Sequence, residues 1–193
     1  MQITTQMVKD LREQTGAGIM DAKRALEAAD GDFGKATQIL QQQGLKRAER
    51  KSDRDASEGL VWSYIHGGQP GQNGGRIGTL VEVNCETDFV ARTEDFRTLV
   101  RDIAMQVAAS NPRYVAETEI PDDAMAAGEK EFGDREKFVE QVALLSQPFI
   151  KDPKRTIQDL IKEQIGKLGE NIVVRRFVRF ELGSPDQEPT QES

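Results

Sequence analysis

A chain of 193 residues has room for one medium domain and a small one. Its formal net charge of −7 argues against direct nucleic-acid binding, which needs positive charge to neutralise phosphates. The single cysteine allows no internal disulfide, and no stretch approaches the ~20 apolar residues that cross a membrane. The start, Met1 to Gln6, lacks the charged and apolar regions of a signal peptide. These features predict a cytoplasmic protein with no membrane partner.

Residues 4 to about 55 read as helices only. Thr4 or Thr5 can cap a first helix carrying Met7, Val8 and Leu11, and Thr15 to Gly18 breaks it. A second helix puts Ile19, Ala22, Ala25, Leu26 and Ala29 on one face. Asp30-Gly31-Asp32 supplies a turn and a cap. A third helix offers Phe33, Ala36, Ile39 and Leu40, with Gly44 as its expected end. One apolar stripe per helix makes a small three-helix bundle. Lys46 to Arg54 mixes both charge signs, which suits a solvated linker helix better than a nucleic-acid patch.

Gly59 to Gly67 and Arg76 to Cys85 read as two strands joined by a glycine-rich hairpin loop. That loop is not a phosphate-binding loop, because no Gly-Lys-Ser/Thr follows and it leads into a strand. A long helix follows, ended by Asn111-Pro112. The acidic stretch from Glu117 to Glu136 predicts a short helix with mobile flanks, and Arg135 to about Ser146 another helix. Pro148 and Pro153 bracket an extended connection. Thr156 to Leu168 is amphipathic, and Gly169 caps it. Ile172 to Leu182 alternates as a last strand. Ser184 to Ser193 lacks large apolar residues and reads as a disordered acidic tail. The core order β-β-α-α-α-α-β, with helices grouped away from a mainly antiparallel sheet, makes the fold α+β. The expected division is a helical bundle with linker over 1–55, a core over 56–183 and a tail over 184–193.

The densest chemistry sits where the second strand meets the long helix, at Asn84-Cys85-Glu86-Thr87-Asp88-Phe89-Val90-Ala91. Thr87 or Asp88 can cap the helix. Phe89, Phe96, Leu99, Val100, Ile103 and Val107 share one stripe, which reads Phe89 as a core residue. Side chains also lean toward the helix N-terminus, so a first-turn Phe can instead overhang the end. Periodicity leaves both readings open.

The run Asn84 to Arg92 resembles the signature of elongation factor Ts of bacteria and organelles. So do Leu11 to Lys23, Leu145 to Asp152, and Gly166 to Phe177, in family order. The resemblance implies a nucleotide-exchange factor for the translational GTPase elongation factor Tu, in a short form with one core copy. It implies a ubiquitin-associated-like N-terminal bundle and a homodimer, which would also cover the exposed edge of a lone sheet. By the same resemblance, Thr87, Asp88, Phe89 and Val90 would engage the GTPase and dislodge its Mg²⁺. Leu11, Arg12, Ile19 and Met20 would form a second contact surface. His66, within Ser63-Tyr64-Ile65-His66, would lie on a partner-facing strand.

Enzyme chemistry finds little support. The chain holds one His and one Cys, with no cluster of metal-ligand spacing, so neither metal nor cofactor is expected. His66 has no nucleophile-elbow motif to serve. Two other readings remain: an adaptor whose bundle binds another protein, and a small-molecule enzyme built on His66 and the glycine-rich loop.

Overall fold

The computed structural model describes residues 3–68 and 74–184. The expectations for the centre of the glycine-rich loop, 69–73, and for the tail, 185–193, lie outside the described residues. The fold is α+β, and its chain divides into two compact units. One takes Met1–Gly59, Asn84–Phe96 and Gln158–Val173; the other takes Leu60–Val83, Arg97–Ile157 and Val174–Ser193.

The first unit opens with α1 (Thr5–Thr15), α2 (Ile19–Ala28) and α3 (Phe33–Glu49). Thr4 caps α1 by accepting from the Met7 N–H at 3.2 Å, and Gly16 stops it at φ 69°. Asp32 caps α3 by accepting from the Lys35 N–H at 3.0 Å. Val8, Leu11, Ala22, Ala25, Leu26, Ala36 and Leu40 form the bundle core, its alanines letting the helices approach closely. One expectation fails here. α3 does not end at Gly44 but runs on to Glu49, taking in the start of the supposed linker. A glycine costs a helix only about 1 kcal/mol relative to alanine, too little to end a helix that tertiary packing supports. Gly44 is instead a crossing point with α8 (Ile157–Leu168): a Cβ on Gly166 would stand 3.0 Å from the Gly44 Cα.

The three-stranded sheet has the order β1-β2-β5, from β1 (Glu58–His66), β2 (Ile77–Cys85) and β5 (Ile172–Glu181). The Arg76 N–H donates to the His66 carbonyl at 2.8 Å, and the Leu182 N–H donates to the Arg76 carbonyl at 2.8 Å. Those bonds close antiparallel neighbours on both sides of β2. The alternation read from β2 holds: Thr79, Val81, Val83 and Cys85 are buried. In α5 (Glu94–Ser110), Leu99, Val100, Ile103, Ala104 and Val107 are buried too. The Thr79 hydroxyl donates to the Ala104 carbonyl at 3.1 Å and pins strand to helix.

Two segments differ from their sequence reading. The acidic stretch is a 3-10 turn over Glu117–Glu119, then α6 (Asp122–Phe132) and α7 (Arg135–Val142). Its flanks are structured: Asp134 caps α7, accepting from the Glu136 N–H at 2.8 Å. Gly128 makes room for the Phe138 ring, which a Cβ there would meet at 2.4 Å. The stretch around Pro148 and Pro153 is a second antiparallel sheet, β3 (Pro148–Phe149) with β4 (Asp152–Thr156). The buried Gln106 of α5 holds that hairpin. Its amide donates to the Pro148 carbonyl at 3.2 Å and accepts from the Ile150 N–H at 2.9 Å.

Candidate functional site

The corner after β2 is built from local rules. Thr87 is extended, at φ −132°, and opens the short helix α4 (Asp88–Ala91). Its hydroxyl oxygen accepts from the Val90 N–H at 3.4 Å. α4 ends after one turn. Thr93 then donates to the Val90 carbonyl at 2.8 Å and accepts from the Phe96 N–H at 3.3 Å, so α5 starts afresh. The single stripe expected from Phe89 to Val107 is therefore broken. Phe89 is 78% exposed, whereas Phe96 is 0% exposed. Asp88 pairs with Arg92 at 2.8 Å on the exposed side of this turn. Such a pair adds little stability but keeps both charges at the tip.

The corner is tied to the segment after α8. Gly169, at φ 80°, ends α8 in the left-handed region. Glu170 next to it accepts from the Thr87 N–H at 3.0 Å and from the Thr87 hydroxyl at 2.6 Å. In return the Asn171 N–H donates to Glu86 at 2.7 Å. The buried Asn171 amide donates to the carbonyls of Ser52 and Arg54 at 3.2 and 2.8 Å. Cys85 is buried beside this network. Burial, then the Glu170 carboxylate, pushes its thiol from 9.0 up to about 11, with backbone hydrogen bonds at Thr87 and Ala91 offsetting part of the rise.

In the bundle, Arg12 is exposed, and Ile19 and Met20 at the start of α2 are 58% and 60% exposed. Neither apolar side chain takes part in the buried core of the bundle. Leu11 differs: it is fully buried in the bundle core and has no surface to offer. Its place on the face shared with Val8 explains this, since α1 needs both to pack.

A family model described as Elongation factor TS matches residues 34–135 and 132–184. "Elongation factor Ts" of Thermodesulfovibrio yellowstonii is 50% identical over 207 aligned positions, covering 97% of this chain and 100% of that protein. The protein of the same name from Moorella thermoacetica is 54% identical over 196, covering 91% of this chain and 93% of its own length. The one from Carboxydothermus hydrogenoformans is 52% identical over 201, covering 94% and 89%. This chain belongs to the elongation factor Ts family.

Two further features of this elongation factor Ts chain lie in the second unit. His66 is exposed at the end of β1, with its Nδ1 3.0 Å from the Tyr64 hydroxyl. The other feature is a sheet face left exposed by the described residues. Gly78, Leu80 and Glu82 point away from the buried face of β2. A Cβ at Gly78 would meet the Ile65 side chain at 3.2 Å, and Arg176 pairs with Glu82 at 2.7 Å. By the two-residue period of a strand, Val61, Ile65, Leu80, Val178 and Phe180 share that face, and all are exposed. Among the described residues no group of three or more His, Cys, Asp or Glu could hold a metal ion, and no helix is long and apolar enough to cross a membrane.

The sequence reading of Gly169 as the cap of α8 holds, but it gives Glu170 and Asn171 no task. The available signal was chemical: two side chains rich in hydrogen-bonding atoms directly after a helix-ending glycine.

Proposed function

We propose that this chain is a guanine-nucleotide exchange factor for elongation factor Tu. The observation that carries the reading is Phe89, a large apolar side chain held out on a one-turn helix. Burying such a ring against a partner is favourable, and among the described residues nothing buries it, since it is 78% exposed. Exchange then follows from differential affinity. The factor must bind the nucleotide-free GTPase better than the GDP-bound one, because a ligand shifts an equilibrium only by that difference. In this reading Phe89 inserts between helices of the GTPase domain, and Asp88 orients the insertion. The displaced loops lose their grip on Mg²⁺, whose charge neutralises the GDP phosphates, so GDP leaves.

Thr87 sets the direction of the tip and Val90 flanks it. Arg12, Ile19 and Met20 form a second contact, with Leu11 fixing the helix that carries Arg12. His66 offers a polar contact from the core strand. Residues 1–55 act as a ubiquitin-associated-like docking bundle and 56–183 as the exchange core. A second copy of the chain covers the apolar sheet face, which supports a homodimer. The deciding experiment is release of a fluorescent GDP analogue from elongation factor Tu with and without the chain. Faster release is expected; an unchanged rate refutes the proposal.

A further inference from the structure

Resting on that reading, we propose that Glu170 is a positioning residue for the exchange tip: its carboxylate holds Thr87 so that α4 forms and Phe89 stands clear of the surface. A helix of one turn does not persist alone, because fixing its backbone costs more than its few hydrogen bonds return. α4 has four residues and one long cap bond, 3.4 Å from the Val90 N–H to the Thr87 hydroxyl oxygen. Something outside α4 must therefore set its start.

Glu170 supplies that constraint. The Thr87 backbone N–H and hydroxyl both donate to its carboxylate, at 3.0 and 2.6 Å. A charged acceptor makes such bonds roughly twice as strong as neutral ones. The hydroxyl proton is committed to Glu170, so the oxygen lone pairs are left to face Val90. The carboxylate thereby imposes the cap. Glu170 is itself anchored. Gly169 before it accepts through its carbonyl from the Lys51 ammonium, and Asn171 after it donates to Glu86 at 2.7 Å. Phe89 has no such support, being 78% exposed, so its direction depends on the backbone from Thr87 to Ala91.

The test uses the full chain with Glu170→Ala, Glu170→Gln, Phe89→Ala, and the double variant Phe89→Ala/Glu170→Ala, read by release of fluorescent GDP from elongation factor Tu. Glu170→Ala should slow release roughly tenfold, as expected for losing hydrogen bonds to a charged group. Glu170→Gln should lose less, because its carbonyl oxygen still accepts one bond. In the Phe89→Ala background, Glu170→Ala should slow release no further. Slowing by the same factor in both backgrounds would mean that Glu170 acts through general stability, and would overturn the proposal.

A wild-type chain that fails to speed GDP release defeats the exchange reading instead. Amide hydrogen exchange of the free chain then decides the positioning role. Glu170→Ala should speed exchange at Val90 and Ala91 about tenfold while Ile103 in α5 stays unchanged. Unaltered protection at Val90 and Ala91 would overturn it.

Discussion

Phe89 and Phe96 stand two ideal helical turns apart, yet Phe89 is exposed and Phe96 is sealed in the core. The break at Arg92–Thr93 separates them. Phe96→Ala should cost about 3–5 kcal/mol and lower the melting temperature markedly, as for large core aromatics. Phe89→Ala should change stability by less than about 1 kcal/mol, as at other surface sites. It should nevertheless slow GDP release from elongation factor Tu. Thermal melts of both variants, beside the exchange assay, check the contrast.

Gly44 and Gly166 should respond to alanine with opposite sign. A Cβ at Gly44 meets nothing within 4 Å, so Gly44→Ala should stabilise α3 by up to about 1 kcal/mol. A Cβ at Gly166 meets the Gly44 backbone at 3.0 Å, and helix backbone cannot swing aside as a side chain can. Gly166→Ala should therefore destabilise, by about 1–3 kcal/mol. Urea unfolding of the two variants measures both.

Cys85 should react slowly with thiol reagents in the folded chain, because a thiol lifted to about 11 holds almost no thiolate near neutrality. The linkage has a definite sign. The folded chain keeps the thiol proton where the unfolded chain has lost it. The contribution is fully present below 9.0 and is lost as pH rises toward about 11. Cys85→Ala should flatten that alkaline loss in urea melts taken across the interval.

Sedimentation should give twice the 21.5 kDa mass of one chain. Phe180→Lys should halve it. Phe180 is 73% exposed, so a lysine there should cost the single chain no more than about 0.5 kcal/mol. A chain that sediments as a monomer before any substitution would remove the homodimer.

Legibility in the sequence followed the range of the forces involved. β2 and the interior of α5 were readable because burial on one face imposes a period on Thr79, Val81, Val83 and on Leu99, Ile103, Val107. The caps Thr4, Asp32 and Thr87 were readable because their bonds close within three residues. β3 and β4 were not, since strands this short, with a proline in each, show no alternation. The restart of α5 was hidden because a spacing of seven fits one stripe whether or not the helix is continuous. Gly44 looked like a stop because a glycine's neighbour across the fold, Gly166, leaves no local trace. The Glu170–Thr87 pair spans 83 positions, beyond any local pattern.

The restart at Thr93 also separates two kinds of selection. Residues 88–91 form their own turn, and the buried stripe begins only with Phe96. Under the proposed exchange role, a change at Phe89 would therefore be judged by the partner alone, and a change at Phe96 by the chain's own stability. Had one helix carried both rings, every adjustment of affinity would have tugged on the interior. Instead, under that proposal, the tip could change with its GTPase at almost no thermodynamic risk to the molecule that bears it.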